Sequence, residues 1–305
     1  MADSEIIVKD FRKVYGDLVV VKGISFEVNR GEIFGLLGPN GAGKTSTLES
    51  LEGLRAPDGG SLLVAGVNPA REARKLRNVI GVQLQTSSLP ESITADEAMK
   101  FFCAYHGVDP RHDLLDRLGL AEKRKAQYHK LSTGQQRRLA LALALAHNPS
   151  VLFLDEPTAG LDVATRVELH NIMREQQIAG TTIILATHDM AEAEEMSDRI
   201  AILLDGKIAA TGTPMEITAT GAGFVKVSVR TEGSSLSDPG LTFPAVSQRL
   251  FKEEYSIYFS TDIGPTVSAI IAHIEAKQDK LIDLRVERPS LEDRFLEITT
   301  TGDVQ

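Results

Sequence analysis

Tryptophan is absent from this sequence, and cysteine occurs once, at Cys103. A single cysteine excludes an intramolecular disulfide and favours a reducing compartment. No run of about 18 consecutive apolar residues is present, so no membrane-spanning helix is expected. Residues 1–10 are acidic and lack the apolar stretch of a signal peptide. The sequence therefore predicts a soluble, cytoplasmic chain whose role at any membrane would depend on a partner.

Positive charge is also scarce, since 33 Lys and Arg residues face 42 Asp and Glu residues and the formal net charge is −9. Nucleic-acid binding requires clustered Lys and Arg side chains for phosphate contacts, and no such cluster occurs. Nucleic acid is therefore not an expected partner. The length of 305 residues exceeds what one core usually organises, so two domains are predicted.

A glycine-rich stretch, GPNGAGKT at 38–45, follows the apolar run 33–37 and opens a helix-forming segment. Its glycines allow backbone N–H groups to turn inward around an anion, and the helix adds the positive end of its dipole. Lys44 can reach the outer phosphates, and Thr45 carries a hydroxyl where this pattern places a magnesium ligand. The stretch therefore predicts a phosphate-binding loop. The residues predicted to contact the nucleotide are Gly38, Pro39, Asn40, Gly41, Ala42, Gly43, Lys44, Thr45 and Ser46.

Short apolar strands alternate with helical stretches up to about residue 217. This alternation predicts an α/β domain with a mostly parallel sheet. Apolar runs such as 151–154 are typical of strands that are buried on both faces. The predicted strands are 6–8, 18–21, 24–28, 33–37, 62–65, 79–84, 151–154, 182–187, 200–204 and 207–210, and the predicted helices are 94–107, a short one within 109–126, 134–148, 163–177 and 190–196.

Leu and Ala alternate over residues 139–146, which is the period of a strand. Neither residue is β-branched, and both are strong helix formers. A helix is therefore predicted from near Gly134 up to Pro149. Another helix start is indicated by Thr94 and Glu97, which have the spacing of a capping box.

The pattern changes after about residue 217, and residues 218–305 are predicted to form a small accessory α+β domain behind a linker at 219–223. Its last helix would follow Pro289, with Ser290 as the N-cap and Asp293 three residues later. No catalytic constellation is evident in this region, so a dimerisation or regulatory role is expected. The predicted elements are strands 225–229, 255–259 and 282–286 and a helix at 265–276.

Two carboxylates, Asp155 and Glu156, close the apolar run 151–154. Hydrolysis of a nucleoside triphosphate requires a phosphate cradle, a metal, a positioned water and compensation of charge on the transferred group. Asp155 can hold magnesium directly or through water, and Glu156 can accept a proton from the attacking water. An Asp-Glu pair at a strand end is commonly a solvated turn, but here, after a phosphate loop, the catalytic interpretation is favoured.

Residues 131–138, LSTGQQRR, are similar to the signature sequence of the ATP-binding subunits of ATP-binding cassette (ABC) transporters, and the resemblance covers nearly all of 5–215. It implies a P-loop NTPase core with an antiparallel β subdomain and a helical subdomain at about 87–149. Alone, a strand-edge tyrosine and a strand-end histidine are more often packing residues. The resemblance assigns Tyr15 to adenine stacking, His188 to catalysis with Glu156, Ser132, Gly134 and Gln135 to phosphate contacts, Asp162 to the D-loop, and Thr45, Gln85 and Asp155 to magnesium.

The resemblance also implies that two chains pair head to tail. The helix that begins near Gly134 in one copy then points its N-terminus at the γ-phosphate held by the other copy. ATP holds such a dimer together, and hydrolysis lets it open. This sequence departs from the family at Thr133, where Gly is usual, and at Ala159, where Ser is frequent. A Cβ at position 133 could alter the affinity for ATP.

The terminal segment 288–299, RPSLEDRFLEIT, is similar to the tail of ATPase subunits of exporters for antibiotics, drugs and polysaccharides. In those systems the membrane permease is a separate chain, which would dock around residues 85–102 on the inner face of the membrane. An exporter ATPase is therefore the predicted function. The alternatives are a soluble, non-transport ABC ATPase on ribosomes or DNA, which usually has two cassettes or basic extensions, and a nucleotide-gated regulator, which would lack Glu156 or His188.

Overall fold

The computed structural model describes residues 4–83, 89–219, 225–238, 240–252, 254–287 and 290–301. The described chain divides into two compact units, with the division after Pro214. The predicted domain boundary, between 217 and 218, lies a few residues further along the chain. Among the described residues, two sheets belong to the first unit and one to the second.

The elements follow one another largely in the order that the sequence predicts. In the first unit they are β1 (Ser4–Tyr15), β2 (Leu18–Asn29), β3 (Ile33–Leu37), α1 (Lys44–Leu51), β4 (Gly59–Val64), α2 (Ala73–Val79), β5 (Ile80–Gln83), α3 (Ala95–His106), α4 (His112–Arg117), α5 (Thr133–Leu145), β6 (Val151–Asp155), α6 (Val163–Ile178), β7 (Thr182–Thr187), α7 (Met190–Met196), β8 (Arg199–Leu204) and β9 (Lys207–Gly212). Helix α8 (Pro214–Ala219) spans the division, and the second unit continues with β10 (Val225–Thr231), β11 (Val246–Lys252), β12 (Tyr255–Ser260), α9 (Ile263–Ala276), β13 (Leu281–Glu287) and α10 (Leu291–Thr301).

The central sheet brings the carboxyl ends of its parallel strands to one edge. Its order is β5-β6-β7-β3-β8-β9, with β9 antiparallel to β8 and the other neighbouring pairs parallel. Every residue of β3, β6 and β7 is buried, as expected for strands that are covered on both faces. The mostly parallel sheet is therefore confirmed. The loops that follow β3, β6 and β7 meet at the same edge.

A second sheet in the first unit is antiparallel, with the order β2-β1-β4. The prediction of two strands at 18–21 and 24–28 is wrong, because β2 runs through both and its pairing with β1 continues with shifts of register. Gly23, with a φ of 89°, lies at one of these shifts. The sequence also fails to predict α2, which has only one buried residue, Leu76, and so presents little helical periodicity.

Helices α3, α4 and α5 pack together in the first unit and form much of one of its cores. Thr94 caps α3 in a capping box with Glu97, as predicted. The segment of alternating Leu and Ala is helical, and every residue from Leu139 to Leu145 is buried. Because this part of α5 is surrounded by apolar neighbours on all sides, its sequence has no polar stripe. The alternation of Leu and Ala is therefore compatible with a helix. Cys103 is buried in α3.

The second unit contains an antiparallel sheet with the order β11-β12-β10-β13. Its core joins Ile270 and Ile274 of α9 to Val227 of β10 and Tyr258 of β12. The sequence does not predict β11, because its residues are mostly polar and exposed and lack a clear apolar alternation.

The ends of the second unit were partly predicted. Ala219 of the expected linker is the last residue of α8, and residues 220–223 lie outside the described residues. Ser290 Oγ accepts a hydrogen bond from the Asp293 N–H at 3.2 Å, which confirms the predicted cap of α10. Across the described parts of both units, none of the helices has the length and apolar character needed to cross a membrane.

Candidate nucleotide site

The loop of residues 38–43 joins β3 to α1 at the edge where β6 and β7 also end. A Cβ on Gly38 would lie 2.3 Å from the carbonyl oxygen of Leu203 in β8. Gly43, directly before α1, has a φ of 104°, and a Cβ there would lie 3.0 Å from Val21. Both positions need glycine because a side chain would collide with neighbouring strands. The loop backbone can therefore curl at the N-terminus of α1, where an anion is favoured.

The other loop residues divide between the surface and the interior. Ala42 is buried and packs into the core beneath the loop. The Ser46 carbonyl oxygen accepts a hydrogen bond from Ser50 Oγ at 2.8 Å inside α1. The predicted phosphate contacts that are exposed, and therefore accessible to a ligand, are Pro39, Asn40, Gly41 and Thr45.

Lys44 folds back onto the phosphate loop. Its Nζ donates to the carbonyl oxygens of Gly38 at 2.6 Å and Pro39 at 3.2 Å. The residue is only 6% exposed, and burial lowers the pKa of Lys44, although the nearby carboxylates of Glu156 and Asp155 act in the opposite direction. A partly desolvated ammonium group at this place can interact strongly with a phosphate group.

Thr45 and Asp155 connect the first turn of α1 to the end of β6. Thr45 Oγ1 donates to Asp155 Oδ2 at 3.3 Å. Burial, followed by the charge of Glu156, raises the pKa of Asp155. A divalent cation would offset the cost of keeping the buried Asp155 carboxylate ionised beside Glu156. Hydroxyl and carboxylate oxygens are ligands that magnesium accepts. The pair therefore fits a magnesium ion. The third predicted ligand, Gln85, lies outside the described residues.

Glu156 and His188 form a short hydrogen-bonded pair across the ends of β6 and β7. His188 Nδ1 lies 2.7 Å from a Glu156 carboxylate oxygen, and the side chain of Glu156 is 10% exposed against 63% for His188. Glu156 has a φ of 51°, and its N–H donates to the Ala186 carbonyl oxygen at 2.9 Å. Such a conformation costs a non-glycine residue about 1–3 kcal/mol and is concentrated at functional sites. The strained turn places the carboxylate beside an accessible imidazole.

The segment 131–138 forms the N-terminus of α5. Ser132 Oγ accepts from the Gln135 N–H at 3.3 Å, and Gln135 Oε1 accepts from the Ser132 N–H at 2.9 Å. In the part of the chain that the structure describes, no hydrogen bond connects Ser132, Gly134 or Gln135 to the loop 38–43. These residues therefore cap their own helix and do not complete the phosphate site of their own chain.

Two residues make hydrogen bonds at the loop 156–162. Arg137 contacts the loop, and Asp162 is its last residue. Arg137, which the sequence analysis did not single out, donates to the Ala159 carbonyl oxygen. Its position inside the segment 131–138 is the signal that could have identified it. Asp162 caps α6 by accepting from the Thr165 N–H at 2.9 Å and from its hydroxyl at 2.8 Å, and these hydrogen bonds lower the pKa of Asp162. In the described chain Asp162 thus serves as a helix cap.

Tyr15 is the last residue of β1. Two cations lie near its ring, since Lys13 Nζ is 5.3 Å and the Arg55 guanidinium 6.0 Å from the ring centroid. The residue is 38% exposed. An exposed, supported ring of this kind is suited to stacking on a base, which stays a prediction for this chain.

An apolar groove of about 520 Å³ lies between the end of α1, α2, α3 and α5. Three of its apolar side chains, Phe101, Tyr105 and Leu54, are 65%, 57% and 57% exposed. The rings of His106 and His147 stack in the groove with centroids 3.8 Å apart. Burial lowers the pKa of both histidines, to about 4 for His147, so both rings are neutral near pH 7. An exposed apolar surface of this kind is typical of an interaction site.

Glu52, directly after α1, forms part of the wall of this groove. It is 6% exposed, and its Oε2 has no hydrogen-bond partner among the described residues. Burial, and then the charges of Asp155 and Glu49, raise the pKa of Glu52 to about 8. The sequence analysis did not identify this residue. The available signal was an acidic residue between the apolar Leu51 and the Gly53 turn, where a buried position is expected.

Glu52→Gln is expected to stabilise the isolated chain, increasingly so as the pH rises. The folded chain keeps the Glu52 proton up to about pH 8, whereas the unfolded chain loses it near pH 4.5, so rising pH favours unfolding of the wild type. Because each unit of difference between the two pKa values is worth about 1.4 kcal/mol, the variant should gain about 4 kcal/mol at pH 8 and little at pH 4.5. Urea unfolding at both pH values measures this difference.

Glu32→Gln is the matched control, because Glu32 is also 6% exposed but already pairs with Arg199 at 3.1 Å. Removing this carboxylate leaves the guanidinium without its partner, so the control should be less stable than the wild type at pH 8. A Glu52→Gln variant with the wild-type free energy of unfolding at pH 8 would show that the Glu52 carboxyl group carries no uncompensated burial cost.

Relatives with known names match this chain along almost its whole length. The family model described as "ABC transporter" matches residues 21–159. The daunorubicin resistance ATP-binding protein DrrA3 of Streptomyces coeruleorubidus is 34% identical over 98% of this chain and 97% of the relative. The linearmycin resistance ATP-binding protein LnrL of Bacillus subtilis (strain 168) is 31% identical over 95% and 97%. The Nod factor export ATP-binding protein I of Paraburkholderia xenovorans (strain LB400) is 36% identical over 98% of both chains.

Solved structures agree with these relatives. The ATP-binding subunit of an ABC transporter is similar with a TM-score of 0.67 and 29% identity, over 70% of this chain and 92% of that one. The ABC transporter cassette MJ0796, solved as a dimer, has a TM-score of 0.62 and 26% identity over 68% of this chain and 98% of its own. Likeness at this level over nearly the full length of named relatives reflects shared ancestry, so this chain belongs to the family of ABC transporter ATP-binding subunits and is an ATP hydrolase.

Proposed function

We propose that this ATPase drives export of a substrate through separate membrane-spanning subunits, in a cycle of ATP-dependent head-to-tail dimerisation. Hydrolysis of ATP in this cycle depends on Glu156 and His188, which lie 2.7 Å apart at the edge of the sheet that also holds the phosphate loop. The export part is supported by the names of three relatives, two of them resistance proteins and one an export protein.

The residues at the sheet edge divide the chemistry of hydrolysis among them. Glu156 takes a proton from the attacking water, and His188 holds the Glu156 carboxylate in place through their hydrogen bond. The loop N–H groups and Lys44 bind the outer phosphates. When bound, magnesium neutralises charge on the phosphate oxygens, and Thr45, Gln85 and Asp155 would hold it. Apart from Glu156, the chain's own groups act by positioning and by electrostatic stabilisation.

The N-terminus of α5 contacts the γ-phosphate bound to a second copy of the chain. Ser132, Gly134 and Gln135 provide these contacts, and among the described residues the N–H groups of Thr133 and Gly134 have no other hydrogen-bond acceptor. Thr133 is exposed, so its side chain can point away from the phosphate. A threonine where the family usually has glycine is therefore compatible with this role. Asp162 borders the same interface, and Tyr15 stacks on the adenine.

The groove formed by α1, α2, α3 and α5 receives the membrane-spanning partner. Its exposed apolar side chains would be covered by a segment of that partner, which would hold the chain at the inner face of the membrane. The second unit would act as a dimerisation or regulatory appendage. Movement at the nucleotide site would reach the partner through α1, which connects the phosphate loop to the groove.

Phe101→Ala is expected to lower the amount of membrane partner that co-purifies with the tagged chain at least about 10-fold, because an exposed aromatic anchor of the docking surface is lost. The tagged chain is expressed in its native cell, membranes are solubilised gently, and co-purifying proteins are identified with and without ATP. The wild type should bring down a polytopic membrane protein.

Phe251→Ala is the matched control, since Phe251 is also 65% exposed but lies on β11 of the second unit. It should leave the recovery of the partner unchanged. Recovery of the wild type only with ribosomes, with DNA or alone would contradict the transport proposal and favour a non-transport ATPase. An equal loss in both phenylalanine variants would contradict docking at the groove.

A further inference from the structure

We propose that the segment of the membrane-spanning partner that fills the groove carries a Lys or Arg side chain that pairs with Glu52. This inference rests on the proposed docking of the partner in the groove, and it specifies the chemistry of the docked segment. The groove therefore recognises an apolar segment with one basic residue, rather than any apolar surface.

The position of Glu52 carries the argument. Its side chain lines the groove, is almost fully buried, and has a carboxylate oxygen, Oε2, without a hydrogen-bond partner among the described residues. Unpartnered buried carboxyl groups are costly, and those that persist need a specific explanation. A cation supplied from outside the chain would compensate this cost, because it would give the carboxylate both a charge partner and a hydrogen-bond donor.

None of the charged groups described near Glu52 provides that cation. Arg77 lines the groove but is exposed, and its Nε donates to the Ala73 carbonyl oxygen and not to Glu52. His106 and His147 are neutral near pH 7, because burial lowers the pKa of each. The other groups that act on Glu52 electrostatically, Asp155 and Glu49, are themselves acidic. The described groove therefore offers no cation that could pair with the Glu52 carboxyl group.

The rest of the groove defines the remainder of the docked segment. The exposed rings of Phe101 and Tyr105 and the exposed side chain of Leu54 line the same groove as Glu52. Apolar side chains of the partner would cover these three residues and exclude water from the Glu52 pair. Exclusion of water strengthens a charge pair, provided that both partners are hydrogen-bonded.

A photocrosslinking experiment identifies the docked segment. Tyr105 is replaced by the photoreactive amino acid p-benzoylphenylalanine in the tagged, full-length chain, and membranes from the native cell are irradiated. The crosslinked peptide of the membrane protein is identified by mass spectrometry. We expect this peptide to contain a Lys or Arg residue next to apolar residues.

Charge exchange then tests the pair. Glu52→Gln should weaken recovery of the membrane protein about 10- to 100-fold, as expected for loss of a hydrogen bond between charged groups. Glu52→Lys should abolish recovery, and replacing the basic residue of the partner with glutamate should restore it. ATP hydrolysis by the isolated Glu52→Gln chain should be unchanged. Glu32→Gln, which removes an equally buried carboxylate that already has a cation partner, should leave recovery unchanged.

The possible failures are distinguishable. No crosslink to any membrane protein would overturn both the docking proposal and this inference. A crosslinked segment without a basic residue, or full recovery of the partner with Glu52→Gln, would overturn the pairing while leaving the docking proposal in place. If Glu52→Lys does not fold, the Glu52→Gln variant together with neutralisation of the partner's basic residue still decides the question, because the two losses should not add.

Discussion

Replacing Glu156 with glutamine is expected to lower the turnover number for ATP at least about 100-fold while leaving the ATP affinity within about threefold of the wild type. The amide has nearly the same shape as the carboxylate but cannot accept the proton of the attacking water. It can still be contacted by His188, which lies 2.7 Å away in the wild type. Phosphate release in single-turnover assays and equilibrium ATP binding measure the two quantities separately.

The same Glu156 variant should accumulate as an ATP-bound dimer, because the step that lets the two copies separate is blocked. Size-exclusion chromatography with ATP and magnesium should show the dimer, and the wild type should return to monomer as ATP is consumed. Glu168→Gln is a suitable control, since Glu168 is a carboxylate on α6 that pairs with Arg117 at 2.8 Å on the surface. Wild-type turnover in the Glu156 variant would remove Glu156 from the role of general base.

Lys44→Ala is expected to weaken ATP binding at least about 100-fold. The lysine contributes a positive charge and hydrogen-bond donors within the loop, and alanine leaves the carbonyl oxygens of Gly38 and Pro39 without their donor. Loss of two charge-assisted hydrogen bonds between the Lys44 ammonium group and the phosphate oxygens of ATP is sufficient for an effect of this size. Isothermal titration with ATP and magnesium measures the affinity directly.

Lys75→Ala provides the control for loss of charge alone, because Lys75 is 73% exposed and pairs with Glu72 on the surface. Its ATP affinity should equal that of the wild type. Circular dichroism should show that the Lys44 variant keeps its secondary structure, so that weaker binding reflects the site. An unchanged ATP affinity in Lys44→Ala would contradict the assignment of residues 38–45 as the phosphate loop.

Features that depend on neighbouring residues could be predicted well from the sequence. The phosphate loop is contiguous, and Gly38 and Gly43 have φ angles of 152° and 104°, a local backbone conformation that favours glycine. The cap of α3 by Thr94 and Glu97 involves residues three apart, and it is confirmed. Helix α5 was predicted despite its alternating Leu and Ala because helix propensity is also a local property.

Features that depend on packing were predicted poorly. Strand β2 was divided into two because the sequence does not show that pairing with β1 continues across Gly23. Strand β11 was missed because most of its residues are exposed and its hydrogen bonds to β12 hold it in the sheet. A strand of this kind is stabilised by its neighbour and carries little periodic signal of its own.

The candidate site shows the same division. Asp155 and Glu156 were identified because they end an apolar strand that follows a phosphate loop, and His188 was identified through the family resemblance. Only the sheet order brings β6 beside β7 and so places His188 within 2.7 Å of Glu156. Glu52 gave no recognisable motif. Its unpartnered carboxyl group in the groove follows from how α1 packs against the surrounding helices.

The sequence by itself determined the chemistry of this protein, because a phosphate loop, strand-end carboxylates and a signature segment depend on residue types at short spacings. The tertiary structure decided the positions of these groups relative to one another, the strained backbone of Glu156, and the groove with its buried acid. The physical reason is that burial and desolvation depend on contacts between residues far apart in the chain. Such contacts set the electrostatic environment of a carboxyl group, which no local pattern reveals.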